Sequence, residues 1–143
     1  MQYSIRNKNV SGFTLIELMI AIAILAIIMG IAIPSYTRYV LESGRADAKN
    51  VLMQTAQTLE RCFTRFSAYN DAGCQLSQGD TLMSENDKYQ MTVTALGNTT
   101  FLLTAVPQDG QANDTDCGNF TLTHTGQKGA AGGTDAAVVE ECW

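Results

Sequence analysis

From Phe13 to Ile33 every residue of this chain is uncharged except Glu17. Those twenty-one residues, at about 1.5 Å of rise each, make a helix of roughly 31 Å, the hydrocarbon thickness of a bilayer. A carboxylate inside such a span costs on the order of 3 kcal/mol or more unless something pairs with it. Glu17 is therefore either tolerated close to the interface or held for a partner.

The flanking residues decide what kind of apolar segment this is. Met1 to Gly12 is short and polar, with Arg6 and Lys8 and no acidic residue, a bias that holds the N-terminus in the cytoplasm. A secretory signal places a small-residue cleavage site after its apolar stretch, yet here the chain continues Pro34-Ser35-Tyr36-Thr37-Arg38-Tyr39. The small residues stand before the stretch instead, as Ser11-Gly12. Cleavage after Gly12 leaves the helix in the mature protein and creates an ammonium at Phe13, about one helical turn from Glu17.

The run Gly12-Phe13-Thr14-Leu15-Ile16-Glu17-Leu18, opening an apolar helix, resembles the class III leader junction of type IV prepilins and their type II secretion relatives. The resemblance implies that a membrane-embedded prepilin peptidase cuts the Gly12–Phe13 bond and methylates Phe13. It also implies that Glu17 neutralises the N-terminal charge of a neighbouring subunit during filament assembly. A plain single-pass anchor, its glutamate favouring the positive end of its own helix, accounts for the position of Glu17. It does not account for a polar leader ending in glycine.

The remaining length allows one modest domain beyond the helix. The four cysteines, Cys62, Cys74, Cys117 and Cys142, form an even set without any C-x-x-C pair. In a domain exported by its own N-terminal segment they read as disulfides rather than a zinc site. Four cysteines allow three pairings and the sequence alone does not choose; nearest neighbours, Cys62 with Cys74 and Cys117 with Cys142, are the expectation. By chain entropy each such loop contributes roughly 3 kcal/mol.

Pro34 lacks a backbone donor and crowds the carbonyl of Gly30, so a kink or a melted turn is expected between Gly30 and Pro34. Apolar residues then resume at helical spacing: Tyr36, Val40, Ala48, Leu52, Ala56, Leu59, Phe63 and Phe66. One long bent helix from about Phe13 to about Phe66 follows, apolar all round in its first half and amphipathic in its second. Ser67 to Gly79 reads as a loop. Tyr89 to Leu96 and Thr99 to Val106 read as a hairpin turning at Gly97-Asn98. A third strand is expected at Asn119 to Thr125 with its turn at Gly126 to Gly129, and no core residue is expected from Gly129 to Gly133. The fold class is thus α+β, with a three- or four-stranded antiparallel sheet covering the second half-helix. The expected divisions are a leader at 1–12, the apolar membrane and filament-core helix at 13–34, the amphipathic half at 35–66 and a β head at 67–143.

The head is similar to the same family, in which a disulfide staples a C-terminal loop. Asp116-Cys117-Gly118 with Cys142-Trp143, and Leu59-Glu60-Arg61-Cys62 through Tyr69, look like the PilE-like minor pilins. Enzyme chemistry has no support: His124 is alone, no serine sits in a recognisable elbow, and no metal or phosphate-loop motif is present. Neither a cofactor nor a metal is expected. Asp109, Asn113, Asp114 and Asp116 lack calcium-loop spacing and read as a solvated loop.

From Ser67 onward only Lys88 and Lys128 stand against ten acids. DNA binding draws on cationic contacts to phosphates, and the other cations, Arg38, Arg45, Lys49, Arg61 and Arg65, lie on the helix. DNA binding is therefore disfavoured. The reading is a minor subunit of a type IV pilus that supports pilus biogenesis, adhesion and twitching motility. Its implied partners are prepilin peptidase, other pilin subunits and an inner-membrane assembly platform. It resides first in the inner membrane and then in the extracellular filament, with Glu17 and Pro34 acting in assembly. The alternatives are the main pilin subunit, a type II secretion pseudopilin, or an adhesive or DNA-uptake receptor.

Overall fold

The computed structural model describes residues 12–143. The expected leader, apart from Gly12, lies outside the described residues. The chain divides into two compact units, one ending at Arg38 and the other running Tyr39–Trp143.

Helix α1 spans Leu15–Phe66. In its first part, every residue from Leu15 to Tyr39 is exposed. An 18-residue window there has a mean hydropathy of 2.8 with none of its residues buried, so this segment is long and apolar enough to cross a membrane. The backbone stays helical through Gly30 and Pro34, so the melted turn allowed for by the sequence is not formed. The Thr37 hydroxyl lies 2.8 Å from the Ile33 carbonyl and 3.2 Å from that of Pro34, giving the backbone beside the proline one additional, shared donor.

The second part of α1 buries Gly44, Asp47, Ala48, Val51, Leu52, Thr55 and Leu59. Steps of three and four residues place them on one stripe. That stripe packs on an antiparallel sheet in sequential order: β1 Thr81–Met83, β2 Tyr89–Leu96, β3 Phe101–Pro107, β4 Phe120–Thr123 and β5 Lys128–Ala130. Strand alternation supplies the other half of the core. Tyr89, Met91 and Val93, then Phe101, Leu103 and Ala105, then Phe120 and Leu122 all point inward. A short 3-10 helix, Asp109–Asn113, follows β3, and helix α2, Ala136–Cys142, closes the chain. Asp135 caps α2 by accepting from the amides of Ala137 and Val138.

The architecture is the expected α+β one, with five strands rather than three or four. Strand β1 was not legible because its three residues are all exposed and show no alternation; it exists because β2 offers an edge, with Leu82 opposite Met91. Strand β5 occupies the expected turn and glycine-rich tail, and Ala130 is buried. A β-carbon at Gly129 would stand 2.7 Å from the carbonyl oxygen of Gly133, so the poor side-chain content is what lets the chain double back there. The β2–β3 connection runs over Gly97–Thr100 rather than two residues, with the Gly97 amide donating to Thr100 O. The Asn98 carbonyl accepts from the Tyr69 amide at 2.9 Å, so a tertiary contact holds this turn open.

Gly44 marks the tightest approach to α1. The Gln111 side chain, almost fully buried, lies over it and donates through Nε2 to the Leu41 carbonyl at 3.0 Å and to the Tyr89 hydroxyl at 3.2 Å. A β-carbon at Gly44 would overlap the Gln111 amide. Gly44→Ala gains up to about 1 kcal/mol of helix propensity. Overpacking costs about 1–3 kcal/mol and the displaced hydrogen bonds about 1 kcal/mol each. A net loss of about 2–4 kcal/mol is expected in urea unfolding of the protein; a gain would show that Gln111 can leave without consequence.

Candidate functional site

The apolar part of α1 starts at a reciprocal cap. The Thr14 amide and Thr14 Oγ1 both donate to Glu17 Oε2 at 2.9 Å, and the Glu17 amide donates to Thr14 Oγ1 at 3.3 Å. Threonine at the N-cap and glutamate three residues on form a capping box, which satisfies two amides otherwise left without partners at a helix start. The resemblance in the sequence leads to the expectation that Glu17 neutralises a neighbour's charge; the structure shows its carboxylate starting the helix. Only Oε2 is engaged, and Oε1 has no hydrogen bond among the described residues. Gly12 and Phe13 precede the helix and are exposed, Phe13 by 90 %. One exposed stretch thus holds the bond expected to be cut, the residue expected to be methylated and the acid expected to meet a neighbour. Pro34 lies within the same exposed helix.

The head is closed by two disulfides. Cys62 joins Cys74 and Cys117 joins Cys142, each pair with Cα atoms 5.6 Å apart. The first ties the end of α1 to the following loop. The second ties the segment before β4 to the end of α2, and its two sulfurs are buried. Trp143 packs edge-on against Phe120, donates through Nε1 to Gly129 O at 2.9 Å, and lies under Lys128. Lys49 Nζ donates to Trp143 O at 2.7 Å, and burial pushes its pKa down.

Three polar sites were not foreseen from the sequence. Arg45 meets Asp114 side-on, donating through Nε and Nη2 at 2.7 and 2.9 Å, and the hydrogen bond to Asp114 raises the Arg45 pKa. This corrects the reading of the Asp109–Asp116 run as a solvated loop: Asp109, Asn113 and Asp116 are exposed, but Asp114 is buried. The buried carboxylate of Asp47 accepts from Ser84 Oγ and from both the amide and side chain of Asn86, holding the β1–β2 turn on α1. Gln111 and Tyr89 form the third; burial pushes the Tyr89 hydroxyl up to about 12, so it stays protonated. Asp47 left one trace, as a polar residue at helical spacing between Gly44 and Val51 on the buried stripe. The partners of Arg45 and Gln111 lie 69 and 70 residues away, beyond any periodic signal.

The stretch Leu59-Glu60-Arg61-Cys62 to Tyr69 is also a contact. The Tyr69 hydroxyl donates to Glu60 Oε1 at 2.8 Å, and its ring stacks on Phe63 with centroids 4.6 Å apart. Among the described residues no group of three or more His, Cys, Asp or Glu side chains converges as a metal site.

Two family models match this chain. One, described as prokaryotic N-terminal methylation motif, covers residues 7–33. The other, described as type IV minor pilin ComP, DNA uptake sequence receptor, covers residues 34–121, more than half of the sequence. The chain belongs to this family of type IV pilins. As such it is a structural subunit and not an enzyme. The type IV major pilin PilA of Myxococcus xanthus is 37% identical over 71 residues, covering 50% of this chain and 32% of the relative. The type IV major fimbrial protein FimA of Dichelobacter nodosus is 44% identical over 54 residues, 36% of this chain and 33% of the relative. The chain therefore matches about a third of the length of these relatives. A solved type IV pilin from Shewanella oneidensis aligns with a TM-score of 0.46 at 27% identity, over 72% of this chain and 97% of that one.

Proposed function

We propose that this pilin is a minor subunit of a type IV pilus, held in the inner membrane by its apolar helix until it enters the filament. Prepilin peptidase cuts between Gly12 and Phe13 and methylates Phe13, and the subunit then supports pilus biogenesis, adhesion and twitching motility. The observation that carries this reading is the apolar part of α1, exposed along its whole length in a chain whose head is closed on its own core. Such a surface belongs against lipid or neighbouring helices, not water. The family model over residues 34–121, built on a minor pilin, supports the minor role. Glu17 acts between subunits: the free Oε1 receives the Phe13 ammonium of a neighbour while Oε2 keeps the cap.

Glu17→Ala tests that role. Export is expected to continue, because removing a charge from the span eases insertion. The amount recovered from sheared filaments is expected to fall at least about tenfold, the loss of one desolvated ion pair. Normal recovery would remove Glu17 from assembly. Mass spectrometry of the wild-type filament reads the processed terminus, the methyl group and the subunit's abundance in one measurement.

A second reading is favoured by the description of the matching family model, a receptor for a DNA uptake sequence. The test is binding of the uptake-sequence duplex and a scrambled duplex at physiological salt. Preference for the former supports a receptor; equal weak binding to both supports the structural role alone.

A further inference from the structure

The unit Tyr39–Trp143 carries six lysines and arginines against thirteen acids, and half of its cations are engaged within it. Arg45 holds Asp114, Lys49 holds Trp143 O, and Lys128 lies over the Trp143 ring. Two of the three others, Arg61 and Arg65, are exposed and share one cavity of about 290 Å³, lined also by Thr58, Phe66, Gly73 and Gln75.

Neutral contacts place both guanidinium groups. Arg61 Nη2 donates to Thr58 Oγ1 at 3.0 Å, and Arg65 lies 5.1 Å from the centroid of the Phe66 ring. The Cys62–Cys74 bond holds the far wall, and a β-carbon at Gly73 would stand 2.6 Å from Phe66 Cζ. Among the described residues neither arginine has a carboxylate within ion-pair distance. Like charges four residues apart on a helix repel, so the pair costs stability in the isolated subunit. The two exposed cations form a basic patch, opposite in sign to the acidic surplus of the unit that carries it.

We propose that the Arg61–Arg65 cavity docks the β1–β2 turn of a second copy of this chain, through the carboxylates of Glu85 and Asp87. Both acids are exposed. Their turn is anchored to Asp47 by Asn86, about 21 Å along the helix axis from Arg61 at 1.5 Å per residue. Donor and acceptor patches therefore stand far apart on one subunit. A contact between unlike patches either repeats reciprocally across a two-fold axis or links copies head to tail. Guanidinium forks suit two carboxylates in this way. A nucleic acid fits less well: two arginines neutralise two phosphates, while the surplus acids around them repel the rest of the backbone.

The test is self-association of the full chain in neutral detergent, followed by sedimentation at low salt, with charge reversals at each patch. R61E/R65E and E85K/D87K are each expected to weaken association by about tenfold, the sum of two modest exposed ion pairs. The quadruple variant, with the charges exchanged, is expected to recover it. Circular dichroism and thermal unfolding of each variant should match the wild type, since all four side chains are exposed. A wild-type chain that does not self-associate, either double variant behaving as wild type, or a quadruple variant that folds without recovering, would overturn the proposal. So would arginine-dependent capture of a DNA duplex by chains that ignore one another, which would assign the cavity to nucleic acid.

Discussion

Asp114→Ala is expected to lower the stability of the head by about 3 kcal/mol, because it strands a guanidinium that folding has taken out of water. The Arg45 side chain is 12% exposed and that of Asp114 is 1% exposed. Their attraction is therefore screened far less than that of a surface pair, where the typical value is below about 1 kcal/mol. The substitution also removes the acceptor of the Cys117 amide, at 3.4 Å from Asp114 Oδ1. The measurement is urea unfolding of the wild type, Asp114→Ala, Arg45→Met and the double variant. Removing both charges is expected to cost less than Asp114→Ala alone, since the stranded charge and not the lost pair carries most of the effect. Equal losses in the single and double variants would show that Arg45 reaches water once Asp114 is gone.

The second large effect is expected at Cys117 and Cys142. Their bridge closes a separation of 25 residues, against 12 for Cys62 and Cys74. Chain entropy separates two such loops by only about 0.6 kcal/mol, from roughly 3 kcal/mol each. Burial separates them further. Both sulfurs of the longer bridge sit in the core with Phe120 and Leu122, whereas Cys62 and Cys74 are half-buried. The variant C117A/C142A is therefore expected to lose about 3–5 kcal/mol, adding cavities to the freed chain. C62A/C74A is expected to lose about 2–3 kcal/mol. Thermal unfolding of the two variants under the same oxidising conditions checks the order. The reverse order would mean that the α1 end and its loop, rather than the C-terminal closure, hold the head together. Asp114 and Cys117 touch, so their losses are not expected to add.

Much of the candidate site was visible before any coordinates. The uninterrupted apolar residues after Phe13 and the isolated acid at Glu17 are local facts, and bilayer dimensions turn them into a helix that water does not suit. Tyr89 to Leu96 was equally legible, because alternation writes a half-buried strand into consecutive residues. Even the capping box was latent in Thr14 and Glu17, which stand at the required spacing. Its importance is that one carboxylate both begins the helix and keeps an oxygen free.

What failed to show did so for one physical reason. A three-residue edge strand such as β1 carries no period of its own and forms only where a neighbour offers an unpaired edge. The glycine and alanine of β5 look like a linker, yet small size is what their crowded turn demands. Asp114 looked like its exposed neighbours, and its burial follows from an arginine 69 residues earlier.

The amino-acid sequence by itself determined the two characters of α1, the paired strands at the centre of the sheet and the Thr14–Glu17 spacing that caps the helix, since each is set by residues a few positions apart. Only the tertiary structure decided which carboxylates are buried, why Gly44 must be bare, how the sheet gains its edges and which cations are left facing outward. Those outcomes depend on groups brought together across dozens of residues, where neither periodicity nor composition carries any record of the partner.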